Sequence, residues 1–134
     1  MRLTDEERDM LVALQMEKAE TFLRQADEMF TMKYWDIAAN RYYYACFHAA
    51  QALLIKNGLS AKTHAGTISS FGIHFVKTGK IELHLGSFLS RMEQLRQKGD
   101  YNSVLTVTED DISTMKAPAK AFVEAIKKIL ESDY

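Results

Sequence analysis

Between Asn40 and Gln51 the chain reads Asn40-Arg41-Tyr42-Tyr43-Tyr44-Ala45-Cys46-Phe47-His48-Ala49-Ala50-Gln51, and its polar side chains fall at helical spacing. On an α-helix Arg41 and His48 stand two turns apart and almost eclipsed, roughly 10 Å along the axis, with Tyr44 between them and Gln51 one turn further. A guanidinium holds anions through forked hydrogen bonds. An imidazole with a pKa near neutrality serves as general acid or base. The same stripe also reads as a satisfied polar layer between helices, since buried polar groups are usually just paired. The opposite side carries Ala38, Tyr42, Ala45, Ala49, Ala52 and Leu53, mostly small residues that let another helix approach closely.

Few other chemistries have their residues here. The sequence holds no H-E-x-x-H, no pair of E-x-x-H motifs and no clustered Cys and His, so no metal site is expected. It also has no G-x-G-x-x-G, no G-x-x-x-x-G-K-[ST] and no G-x-S-x-G, and no cofactor is expected. Lys62 and His64 open a further helix, whose N-terminus attracts anions and could receive a phosphate. The lone Cys46 reads as a small buried hydrophobe. Seven Met, seven Phe and six Tyr at helical spacing read as core and interface.

The elements that must position these residues are all helical. Thr4 and Glu7 have capping-box spacing and start a helix whose apolar stripe, from Met10 to Phe30, runs to about Met32. Asp36 is the expected cap of the second helix, Ile37 to Lys56, which closes at Asn57-Gly58. A third helix, capped by Ser60, is expected from about Lys62 to Lys77 and ends at Gly79, weakened by Gly66 and Gly72. A fourth runs from Ile81 to Lys98 and stops at Gly99. Thr108 with Asp111 opens a fifth, in which Pro118 removes an N–H and clashes with the Thr114 carbonyl, predicting a kink or a break. With no period-2 strand pattern, the fold class is all-α, an antiparallel four-to-five-helix up-and-down bundle.

At 134 residues, with 47% apolar and 26% charged side chains, the chain is expected to form one domain over residues 1–134. Its net charge of -1 gives no overall attraction to phosphate, so nucleic-acid binding would need a local patch. The charged start MRLTDEERDM lacks a signal peptide's apolar stretch, and no run approaches the roughly 20 apolar residues of a membrane span. A cytoplasmic location without a membrane partner is expected.

The segment from Ala39 to Ala50 resembles the A-x-R-x-Y-Y-A-x-F-x-A-A core of small prokaryotic HEPN proteins. Lys62-Thr63-His64 is similar to the K-x-H that opens that family's third helix. Phe75-Val76-Lys77-Thr78-Gly79 is similar to its F-V-K-x-G close, and Arg96 with Asp100-Tyr101 to its R-x-x-x-D-Y ending of helix four. These landmarks cover nearly the whole chain in the family's order.

The resemblance implies an antiparallel helical bundle, commonly a homodimer. Members often sit beside or are fused to a minimal nucleotidyltransferase as toxin and antitoxin, and others are metal-independent ribonucleases. It therefore implies a module that binds a nucleotidyltransferase partner and nucleotide or RNA, with Asn40, Tyr44, Gln51, Lys62, His64, Arg96, Asp100 and Tyr101 as contact candidates. A metal-independent ribonuclease using Arg41 and His48 is one alternative, and a ligand-free helical dimerisation module is another. The ribonuclease motif R-x4-H-x-Y is not matched: with Tyr101 on its Tyr, Gly99 takes the His position and Gln94 the Arg position. Tyr101, expected in a loop after Gly99, is either a nucleotidyl acceptor of the kind such pairs use or a cap on the bundle end.

Overall fold

The computed structural model describes residues 2–101 and 107–132, with Gly99 and Tyr101 described by backbone only. Among them every regular element is helical. Helix α1 (Asp5–Thr31) starts at the expected capping box: Thr4 Oγ1 accepts from Glu7 N at 3.0 Å and Glu7 Oε1 accepts from Thr4 N at 2.9 Å. Lys33, at φ 66, turns the chain into α2 (Trp35–Lys56), which runs back along α1. The N-cap of α2 is Tyr34, with no side-chain cap bond, so Asp36 lies in the first turn instead of capping it. There it still meets the positive end of the helix dipole. The stop at Asn57-Gly58 is as expected, with Gly58 at φ 73 and Asn57 Nδ2 donating to Leu53 O at 2.8 Å.

Helix α3 (His64–Phe71) is capped by Thr63 and not by Ser60, because Thr63 Oγ1 accepts from Gly66 N at 2.9 Å. The chain then widens into a π-helical turn over Gly72–Val76, where Lys77 N reaches Gly72 O at 2.9 Å, before Gly79 at φ 79 ends the run.

Helix α4 (Leu83–Tyr101) passes straight through Gly99, which corrects the expected stop. Two ion pairs hold its last turn: Arg96 Nη1 to Asp100 Oδ2 at 3.0 Å spans the glycine, and Lys98 Nζ meets Asp111 Oδ2 at 3.2 Å. Tyr101 is therefore helical and does not lie in a loop, and its side chain lies outside the described residues. Helix α5 (Glu109–Ser113) has the Thr108–Asp111 capping box, and α6 (Lys116–Ser132) follows. The expected break falls just before Pro118, whose missing N–H then lies in a first turn that needs none.

Counting α3 with its π turn and α5 with α6 as single rods, the bundle has five antiparallel rods, four of them packed around α2. Eleven of the 22 residues of α2 are buried, and six of those eleven are alanines, so its neighbours approach nearly to backbone contact. Tyr42 is fully buried with its hydroxyl donating to Asp27 Oδ1 at 2.6 Å, which satisfies the one polar atom that ring carries in. Among the described residues no helix is long and apolar enough to cross a membrane.

The contact between α4 and the π turn depends on Gly86, where an added Cβ would sit 3.1 Å from Val76 Cγ1 and closer still to Val76 Cγ2. A β-branched side chain has little rotamer freedom with which to move away. Gly86→Ala should therefore lower stability by about 1–3 kcal/mol, although Gly to Ala normally strengthens a helix. Gly72→Ala, with nothing within 4 Å, should not. Urea unfolding of both variants, and of Gly86→Ala combined with Val76→Ala, checks this; equal midpoints for Gly86→Ala and the parent protein would refute it.

Candidate functional site

One polar chain links α2, α3 and α4. Arg96 and Glu93 sit one turn apart on α4, 7% and 8% exposed, and their side chains pair directly through Arg96 Nη2 and Glu93 Oε1. The second edge of Arg96 goes to Asp100, whose Oδ2 also accepts from Asn40 Nδ2 at 3.2 Å. Asn40 Oδ1 in turn accepts from Arg41 Nη1 at 2.6 Å. At the other end the Tyr43 hydroxyl meets His64 Nδ1 at 2.7 Å, while Glu93 Oε2 lies 3.4 Å from the same ring nitrogen. With a proton on Nδ1 the imidazole donates to the Tyr43 oxygen. Burial alone would raise the Glu93 pKa, but the neighbouring Tyr43 hydroxyl and the Arg96 guanidinium outweigh it and hold the carboxyl below its ordinary 4.5. Burial, with the Glu93 charge beside it, pushes the Tyr43 phenol up and keeps it protonated.

The two arginines differ in what they have left to offer. Arg96 lies against the Tyr43 and Tyr44 rings and is neutralised by two carboxylates. Arg41, half-buried over the Phe22 ring at 5.4 Å, is held by an amide oxygen, and no carboxylate among the described residues pairs with it.

His48 sits beside this arrangement and not within it. Its ring stacks on Phe22 at 5.4 Å and 18°, and its Nδ1 lies 2.6 Å from Gln15 Oε1. That oxygen only accepts, so Nδ1 carries the proton and Nε2 is the acceptor. Burial, then the positive charge of Lys18 and the nearness of His64, lowers its pKa from 6.5 to about 4. This corrects the expectation of a titration near neutrality: at pH 7 the ring is neutral and accepts a proton more readily than it gives one.

Of the residues singled out from the sequence, Asn40, Arg41, Tyr44, His64, Arg96 and Asp100 come together. Gln51 turns to α3, where its Nε2 donates to the buried Thr67 Oγ1 at 2.8 Å. Lys62 is exposed before α3, without an ion pair among the described residues. Sequence reading missed Glu93, Tyr43, Phe22 and Gln15. Glu93 was legible as an acid three residues before Arg96 on one helix. Phe22 and Gln15 carried no signal, because only packing brings α1 against this face of α2.

A family model described as the HEPN domain matches residues 12–129. The chain is 40% identical over 116 residues to the "Putative toxin MJ0605" of Methanocaldococcus jannaschii, which covers 87% of this chain and 86% of that one. It is also 40% identical over 94 residues to a "UPF0332 protein" of Thermotoga maritima, covering 70% of this chain and 71% of the other. The crystal structure of TT1696 from Thermus thermophilus shares the fold, with a TM-score of 0.74 at 13% identity over 87% of this chain and 96% of that one.

The depressed pKa of His48 sets a pH dependence. The unfolded chain takes up this proton near pH 6.5 and the folded chain only near 4, so the contribution is complete above 6.5 and is lost as pH falls toward 4. Allowing for the ring's partial contact with solvent, about 1–2 kcal/mol should disappear over that window. His48→Gln should remove that part of the slope in denaturant unfolding at pH 7 and 4.5. A difference between parent and variant that does not change with pH would refute the assignment.

Proposed function

The chain belongs to the HEPN family, and on that premise we propose that it is a toxin-like module that binds nucleotide or RNA and pairs with a minimal nucleotidyltransferase. The observation that carries the reading is Arg41: an oriented guanidinium at the edge of the polar chain, resting on Phe22, with no carboxylate partner among the described residues. Such a group takes a phosphate without breaking an existing ion pair, whereas Arg96 would first have to leave Glu93 and Asp100. The name of the Methanocaldococcus jannaschii relative supports the toxin-like role, and the family resemblance supports the transferase partner and a homodimer.

A second reading, a metal-independent ribonuclease, is favoured by His48. Its neutral ring touches the same Phe22 ring as Arg41 and keeps Nε2 as a proton acceptor, so Arg41 would hold the scissile phosphate while His48 takes the 2′-hydroxyl proton.

Fluorescence anisotropy with a labelled mixed RNA pool in EDTA tests both. Arg41→Ala should weaken binding about tenfold and lower the salt slope by about one, as for the loss of one phosphate contact. No binding by the parent protein at low salt would overturn the proposal. RNA cleavage lost in both Arg41→Ala and His48→Ala would establish the second reading, and cleavage surviving His48→Ala would remove it.

A further inference from the structure

Five half-buried rings, Phe22 of α1, Tyr44, Phe47 and His48 of α2 and His64 of α3, form a continuous belt, with neighbouring centroids 4.6–6.3 Å apart. Resting on the nucleic-acid reading above, we propose that this belt stacks the unpaired bases of single-stranded RNA, so that the module selects single strands over duplex.

The His64 ring has one open face. Tyr43 and Phe47 both lie nearly parallel to it, at 5.7 Å and 20° and at 4.6 Å and 18°, yet their own centroids are only 5.8 Å apart. An imidazole lying between them would hold them at about 10 Å, twice a normal stacking distance. Neither ring therefore lies across the imidazole from the other: Phe47 backs one face, Tyr43 meets the ring edge through the bond to Nδ1, and the side chain is 42% exposed, so the face away from Phe47 is turned to solvent. A base laid there extends a stack that is already built.

The belt also turns a corner. The Phe47–His64 and Phe22–His48 stacks meet where Phe47 and His48 lie at 78° to one another. Bases in a duplex are paired and already stacked on one another, so they present no free face to an exposed ring such as His64. A single strand can turn an unpaired base onto it.

The charges around the belt match such a ligand. Arg41 lies over the Phe22 end, and Lys18 and Lys62 are exposed without an ion pair among the described residues. The nearby carboxylates of Glu93 and Asp100 are already held by Arg96. Aromatic faces rimmed by cations recognise a polyanion with flat groups, and base-on-ring stacking tolerates any sequence.

The test compares a labelled 12-nucleotide single strand with the blunt 12-base-pair duplex of the same sequence, using the full chain. Single strand should bind at least tenfold more tightly. His64→Ala should weaken that binding about tenfold. His64→Phe, which keeps a ring but loses the Tyr43 hydrogen bond, should retain it, whereas a merely structural role would make both variants fail. In the unaltered protein, the His64 ring proton signals should move upfield when oligoadenylate is added. RNA binding with equal affinity for duplex, or unaffected by His64→Ala, would overturn the inference and leave the proposed function standing. No RNA binding by the parent protein would overturn both. Light scattering in which Phe47→Leu turns a dimer into a monomer would show that the belt is covered by a second copy, and would overturn it as well.

Discussion

The arrangement of the site depends on the Arg96–Glu93 ion pair. Each charge is almost entirely removed from water, and an ion so placed is tolerated only when its partner is in place and its remaining hydrogen-bonding capacity is used. Glu93 Oε1 is held by Arg96 and Gln97, Glu93 Oε2 faces His64 Nδ1 at 3.4 Å, and Arg96 is held by Glu93, Asp100 and the rings of Tyr43 and Tyr44. Because these partners come from α2 and α4, and His64 of α3 leans on Tyr43, the pair fixes how three helices meet. It also fixes which cation remains for a ligand. With Asp100 drawn to Arg96 and Asn40, Arg41 is left with an amide and a ring, and its charge is not consumed.

Packing of α2 makes room for this geometry. Alanines at 38, 39, 45, 49, 50 and 52 are fully buried, and Ala19, Ala26 and Ala119 answer them from α1 and α6. Close backbone approach brings the longer residues of α2 up against their partners: Tyr42 reaches Asp27, His48 reaches Gln15, and Tyr43 reaches His64. Aromatic rings that a wider core would have taken in lie instead near the surface between α1, α2 and α3, where they stack on one another and on two histidines.

The histidines illustrate how position separates chemically identical groups. His48 is boxed by Phe22, Tyr44 and Phe47 beside the positive Lys18, and is kept neutral. His64 stands at the rim, more open to solvent, between a phenol and a carboxylate. The first is held neutral, and the second stands where it can form part of a polar relay and a stacking surface.

The sequence by itself determined whatever is settled between neighbours along the chain. The boxes at Thr4–Glu7 and Thr108–Asp111, the stops at Gly58 and Gly79 and the break near Pro118 were legible because each rests on hydrogen bonds or backbone angles within a few residues. So was the Arg41–Tyr44–His48–Gln51 stripe, which follows from helical periodicity. Tertiary structure decided the rest. Gly99 looked like a stop, yet ion pairs to Asp100 and Asp111 carry α4 through it. Ser60 and Thr63 both have the side chain of a cap, and the π turn that begins at Gly72 left no periodic trace. Above all, two arginines of the same type became one structural and one open to a ligand, because the partner of a charge is chosen by helices that are distant in sequence and adjacent only once the core has packed.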